Sequence, residues 1–166
     1  MAVVADGYIL NWSMDSSQVR FHFNKERKIS RIKQLLNDLN SPSKEYKDSV
    51  GNTHITLSSD LSALITEILN PYRDLTAKKE LPWELLKLKS DDLKDLVLEY
   101  LFWDGRWENY LKNNKNMQIS STNLRTIDVL QAMAILSGMR ASIKDETGGT
   151  ASERANPCYA LCLYNN

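Results

Sequence analysis

The sequence KELPWELLKLKSDDLKDLVLEYLFWDGRW, Lys79 to Trp107, holds an amphipathic helix that ends on an acid. Leu93, Leu96, Val97, Tyr100 and Leu101 recur at the i, i+3, i+4, i+7, i+8 spacing of one helical face. Ser90 stands at the expected N-cap, and Asp91 and Asp92 fall in the first turn, where acids complement the helix dipole. The helix runs into Asp104-Gly105, so a carboxylate closes its C-terminal tip. An anion there is electrostatically misplaced unless a cation joins it. A second Asp-Gly, Asp6-Gly7, follows the small apolar run Met1–Ala5 at the start of the chain. Either pair alone is a common turn. Two of them at corresponding places are a pattern.

Outward from these two points the chain repeats itself. After Asp6-Gly7, Tyr8–Ser13 reads as a strand, and Val19–Asn24 alternates, with Val19, Phe21 and Phe23 on one face and Arg20, His22 and Asn24 on the other. A helix with Ile29, Ile32, Leu35, Leu36 and Leu39 on one side stops at Asn40-Ser-Pro42. A hairpin follows, Glu45–Lys47 and Thr53–Ser58 around Val50-Gly51-Asn52, with Ile55 and Leu57 inward and His54, Thr56 and Ser58 outward. Leu61, Leu64, Ile65 and Ile68 mark a third helix, closed by Asn70-Pro71. After Gly105, Arg106–Tyr110 is strand-like and Met117–Ser120 alternates. A helix over Asn123–Ser137 carries Leu124, Ile127, Leu130 and Ala134, with Gly138 as its C-cap. Arg140–Lys144 is a strand, Thr147–Thr150 a turn and Cys158–Tyr164 a final strand. Gly7 lies 14 positions before Phe21, and Gly105 lies 12 before Met117. Both halves read helix, Asp-Gly, strand, strand, helix, strand, strand: an internal duplication.

With 166 residues the chain is long enough for one compact domain or two small pseudo-repeats. Formal net charge is zero, with 21 basic and 21 acidic residues, which excludes a uniformly basic nucleic-acid binder. The charge is unevenly placed, though. Arg20, Lys25, Arg27, Lys28, Arg31 and Lys33 face only Glu26 between Gln18 and Gln34, and acid gathers at Asp91, Asp92, Asp95 and Glu99. No apolar run approaches the roughly 20 residues of a membrane span, and no signal peptide is visible. Cys158, Cys162, His22 and His54 are the only cysteines and histidines, so no structural zinc site is expected, and a reduced intracellular compartment such as the cytoplasm fits best. Trp12, Trp83, Trp103 and Trp107 suit packing better than base stacking.

This ordered set of motifs resembles the LAGLIDADG homing endonucleases in their single-chain, two-motif form. Ala2–Gly7 and Val97–Gly105 match the two copies of the namesake motif. Lys79-Glu-Leu-Pro82 is similar to the Lys-x-hydrophobic-Pro segment before the second copy. Phe21–Lys28 and Ile119–Leu124 match the strand-to-helix passages after each motif, and Gln131–Ile143 is similar to the late helix and strand. The resemblance covers nearly the whole chain, in the style of endonuclease domains inside phage inteins. Two residues depart from it: Glu99 and Trp103 stand where the family places small side chains. The chain starts with Met and has no Thr-x-x-His block, so protein splicing by this chain is not expected.

The resemblance implies an α+β fold of two αββαββα halves, 1–75 and 76–166, whose two antiparallel sheets form a concave DNA-binding saddle. It implies a site-specific endonuclease that hydrolyses one phosphodiester per strand of double-stranded DNA. Mg²⁺ (or Mn²⁺) would be held by Asp6 and Asp104, with the carbonyls of Ala5 and Trp103 as further ligands. Lys79 matches the family's catalytic lysine, Lys78 is its alternative, and Lys144 is a counterpart in the second half. Candidate DNA-facing residues are Asn11, Ser13, Arg20, His22, Asn24, His54, Thr56, Ser58, Gln118, Ser120, Ser142 and Lys144, types suited to phosphate and base-edge contacts. The alternative reading is a non-cleaving nucleic-acid-binding module, maturase-like or transcription-factor-like. A monomer or one part of a larger host chain is expected, with no membrane partner.

Overall fold

The computed structural model describes residues 1–12, 15–105, 117–147 and 157–164. The chain divides into two compact units, one over Ala2–Ala77 and one over Lys78–Asn166 together with Met1. Each has its own antiparallel sheet and its own core.

The N-terminal unit opens with a short helix, α1 (Ala2–Asp6), followed by β1 (Gly7–Leu10) and β2 (Gln18–Phe23). Helix α2 (Glu26–Asp38), the hairpin β3 (Ser43–Lys47) and β4 (Thr53–Leu57), and helix α3 (Ser59–Leu69) complete its main frame, with α4 (Arg73–Ala77) after it. The sheet order is β1-β2-β4-β3. Alternation along β2 and β4 sends Val19, Phe21, Phe23, Ile55 and Leu57 into the core, where Ile29, Ile32 and Leu36 of α2 join them. The strand expected over Tyr8–Ser13 ends earlier, at Leu10, because Asn11 turns the backbone to φ 55°. Asparagine tolerates that left-handed region better than most residues.

Helix α3 departs from its apolar pattern. Its buried residues are Ser62 and Thr66, while Leu64 and Ile68 are 52% and 59% exposed. On the inward face the backbone N–H of Val19 donates to Ser62 Oγ at 3.1 Å, joining α3 to β2 through a small side chain. A buried donor left unpaired would cost about 1–3 kcal/mol.

The C-terminal unit contains α5 (Ser90–Asp104), β5 (Met117–Ser121), α6 (Leu124–Leu136), β6 (Arg140–Asp145) and β7 (Tyr159–Tyr164). Its sheet order is β5-β7-β6. Ser90 is the first residue of α5 rather than its N-cap; Lys89 flanks it and makes no side-chain cap. The inward face carries Leu93, Val97, Tyr100 and Leu101 as expected, and α5 packs on α6, where Ile127, Leu130, Met133 and Ala134 are fully buried, as is Leu101 of α5. At the end of α6, Gly138 adopts φ 81°, and the N–H groups of Gly138 and Met139 donate to the carbonyls of Ile135 and Ala134. That is the glycine-terminated Schellman arrangement. The strand-like stretch Arg106–Tyr110 and most of Thr147–Thr150 lie outside the described residues.

The duplication is visible in register. Gly7 pairs with Phe21, and Gly105 forms an antiparallel bridge with Ile119. Both spacings are 14 residues, so the counterpart of Phe21 is Ile119 and not Met117. From there β5, β7 and β6 correspond to β2, β4 and β3. Both glycines are dictated by space. A Cβ on Gly7 would sit 2.7 Å from Val3 Cα, and one on Gly105 would collide with the carbonyl oxygen of Leu101. In each unit the chain leaves its helix so tightly over residue i−4 that no side chain fits after the aspartate.

Candidate active site

Asp6 closes α1 and Asp104 closes α5. Each is therefore held at a fixed point by a helix on one side and a space-limited glycine on the other. Within the N-terminal unit Asp6 has a cation. Lys28 Nζ lies 2.5 Å from Asp6 Oδ2, with the two side chains only 10% and 21% exposed. Both charges sit at the wrong helix pole: Asp6 at a C-terminus, Lys28 in the first turn of α2. A buried lysine and a carboxylate are tolerable there because they are paired. Departures of this kind from local rules gather at functional sites. Lys28 was not among the residues singled out from sequence. The signal for it is its place on the apolar face of α2, four positions before Ile32.

Asp104 is exposed at the tip of α5, next to fully buried Trp103. The two departures from the family's small residues account for one another: Trp103 Nε1 donates to Glu99 Oε1 at 2.9 Å, one helical turn back. Phe102 meets the indole edge-on at 5.6 Å. Each tip by itself, Asp6 with the adjoining Ala5 carbonyl and Asp104 with the adjoining Trp103 carbonyl, offers oxygen donors only. That chemistry fits a hard divalent cation such as Mg²⁺, which keeps several of its waters.

Lys79 is exposed and has φ 57°, a rare conformation for a residue with a side chain. The surrounding segment is pinned to α6. The Lys79 carbonyl accepts from the hydroxyl of fully buried Thr126 at 3.0 Å, Glu80 Oε1 accepts from Asn123 Nδ2 at 3.2 Å, and Leu81 is 1% exposed. Lys79 is thus presented by a rigid bend. Glycine would relieve its backbone, at a cost of the same order in unfolded-chain entropy, so Lys79→Gly is expected to change stability by no more than about 1 kcal/mol. If the ammonium serves the reaction, the same variant loses DNA cleavage by about tenfold or more. Thermal melting and cleavage rates on one preparation check both halves of that expectation.

The outer face of the N-terminal sheet brings several of the expected DNA-facing residues together. Arg20 and Thr56 are opposite each other, as are His22 and His54. Arg20 is held by Gln18, whose Oε1 accepts from Nε at 2.9 Å and also from Nη2. Next to Thr56 an open groove of about 510 Å³ is lined by Ser16, Gln18, Lys44 and Ser58. Ser58 also serves the fold: its Oγ accepts from Leu61 N as the N-cap of α3. Asn24 and Asn11 are exposed, and Ser13 lies outside the described residues.

His22 and His54 are both engaged by Asp48, a turn residue that no periodicity or motif marks. Asp48 Oδ2 is 3.1 Å from His54 Nε2 and 3.8 Å from His22 Nε2. Asp48 Oδ1 accepts from the N–H groups of Val50 and Asn52. The Asn52 side-chain amide, then His54, holds the carboxyl well below the usual carboxylate range.

On the C-terminal sheet, Gln118 donates to Glu146 at 2.9 Å and to Ser120 at 3.4 Å, Ser142 pairs with Tyr164 at 2.9 Å, and Lys144 is exposed. Cys158 and Cys162 are buried free thiols. No helix among the described residues is long and apolar enough to cross a membrane.

Comparison with solved structures places this architecture. A structure of I-DmoI bound to DNA and Mn matches 98% of this chain and 84% of its own, with a TM-score of 0.59 and 14% identity. A mesophilic variant of the homing endonuclease I-DmoI matches 98% of this chain and 83% of its own at a TM-score of 0.60. The chain has the fold of the LAGLIDADG-type homing endonucleases, as its motifs imply. Among curated proteins, the ribonucleoside-diphosphate reductase subunit beta of Aquifex aeolicus is 24% identical over 152 residues. That likeness takes in 89% of this chain but only about a fifth of the reductase subunit's length, 20%. No family model matches the sequence.

Proposed function

We propose that this protein is a site-specific endonuclease that cuts both strands of duplex DNA, with Asp6 and Asp104 each supporting hydrolysis of one phosphodiester. The observation that carries this reading is the repeated Asp-Gly at a helix tip, in identical register with the following strand in both units. In support, the solved structures of the same fold include I-DmoI bound to DNA with Mn, Mg or Ca.

Asp6 and Asp104, with the carbonyls of Ala5 and Trp103, would hold Mg²⁺ or Mn²⁺ at the scissile phosphates. The bound ion supplies an acidified water and charge neutralisation at the phosphorus. Lys28 fixes the Asp6 carboxylate through their ion pair, and its ammonium lies where it can also meet a phosphate oxygen brought to that carboxylate. Lys79 presents a second ammonium from its rigid bend. Arg20, Asn24, Thr56 and Lys44 contact phosphate and base edges on one sheet, and Gln118, Ser120, Ser142 and Lys144 on the other.

We also infer that the endonuclease is a mobile module carried by a larger host chain, as intein endonucleases are. The support is one of length: nearly all of this chain corresponds to about a fifth of a reductase subunit.

Incubation with a randomised duplex library in Mg²⁺ tests the reading. Recovery of one enriched, doubly cut sequence is the expected result. Retention of duplex DNA with every sequence left intact would establish the non-cleaving binding module instead.

A further inference from the structure

Three adjacent strands of the N-terminal sheet place rings at one level: Tyr46 on β3, His54 on β4 and His22 on β2. Tyr46 and His54 stack at 4.5 Å and 3°, and His54 and His22 at 4.3 Å and 12°. The stack aligns the two imidazoles so that both Nε2 atoms reach the same oxygen, Oδ2 of Asp48. The three ligand atoms lie within 4.8 Å of one another.

We propose that His22, Asp48 and His54 form a binding site for a divalent transition ion of the zinc type, distinct in ligand chemistry from the motif aspartates. Two imidazoles and one carboxylate are a donor set that suits Zn²⁺, Co²⁺ or Ni²⁺ and not Mg²⁺. A tetrahedral ion with bonds of about 2.0–2.1 Å sets its ligand atoms roughly 3.3–3.5 Å apart. The distances of 3.1 Å and 3.8 Å to Asp48 bracket that range, and closure requires the half-exposed His22 ring to tilt out of its stack with His54 so that both Nε2 lone pairs converge on the ion.

The carboxylate is already oriented for the role. Asp48 receives both backbone N–H groups of its turn on Oδ1 and the Asn52 amide, at 3.0 Å, on Oδ2. Hydrogen bonds of this kind from a second layer fix a metal ligand in place. Cysteine and histidine counts alone gave no such expectation; the fold adds the acid. Bound there, the ion ties β2, β4 and the β3–β4 turn together on the outer face of the sheet. This proposal stands whether or not the protein cuts DNA.

The test is titration of the intact protein with Zn²⁺ against a chromophoric chelator, repeated with Co²⁺ for its visible absorption. One equivalent bound in the presence of excess Mg²⁺, with a Co²⁺ band of low-coordinate type, is expected. His22→Gln and His54→Gln each lower the affinity at least about tenfold and change or remove the band. Because His22 is on the surface, His22→Gln keeps the fold, and its circular dichroism confirms that. Absence of stoichiometric uptake by the wild type, or unchanged affinity in both variants, overturns the site.

Discussion

Asp104→Asn is expected to leave duplex binding within about threefold of wild type while lowering double-strand cleavage by about 10³-fold or more. The substitution keeps size and hydrogen-bonding shape at the tip of α5 but removes the anion that a divalent cation needs. Asp104 is exposed, and Leu93, Val97, Leu101 and Trp103 hold the helix without it, so the fold should not change. The expected product is DNA nicked in one strand, because Asp6 retains its own carboxylate. Gel analysis of a supercoiled plasmid carrying the target separates nicked from linear product. Linearisation at the wild-type rate would remove Asp104 from the site.

The second large effect is on stability. Lys28→Met keeps the apolar stem of the side chain but leaves Asp6 partly buried, anionic and unpaired at a helix C-terminus. A loss of roughly 3 kcal/mol is expected in the N-terminal unit, the range for breaking a buried pair from one side. Pairing the change with Asp6→Asn should restore a substantial part of it, an interaction energy of about 1–3 kcal/mol in the double-mutant cycle. Hydrogen exchange at the amides of β2 reports on this unit alone. Protection of Val19 and Phe21 within about 0.5 kcal/mol of wild type in Lys28→Met would show that the ion pair holds nothing together.

The parts of the fold legible in the sequence are those written in periodicity. Strands β2 and β4 declare themselves through Val19-x-Phe21-x-Phe23 and Ile55-x-Leu57, and α5 and α6 through apolar spacing. Both Asp-Gly pairs were visible, and the register that makes them equivalent was two residues from the expected one. It is set by the bridge from Gly105 to Ile119, which no alternation pattern specifies. Helix α3 lies where its apolar spacing puts it, but spacing does not show which face turns inward: Ser62 accepts from the Val19 N–H and is buried, while Leu64 and Ile68 are exposed. Lys28 was counted among basic residues because charge bookkeeping cannot show which lysine is buried. His22 and His54 appeared as independent outward positions. Their common partner, Asp48, lies in a turn, where an acid ordinarily needs no explanation.

The two sheets share one topology but carry unlike outer faces. Corresponding positions hold Arg20 and Gln118, His22 and Ser120, His54 and Ala160, Tyr46 and Lys144. One surface carries an arginine and stacked rings, the other an amide, hydroxyls and a lysine. A reader with two identical faces selects a palindrome, since protein symmetry is mirrored in its operator. If both sheets read DNA, as proposed, two unlike faces call for a target whose arms are unrelated. Such a target would have a direction, and changing the face of one sheet would then alter the preference for one arm alone.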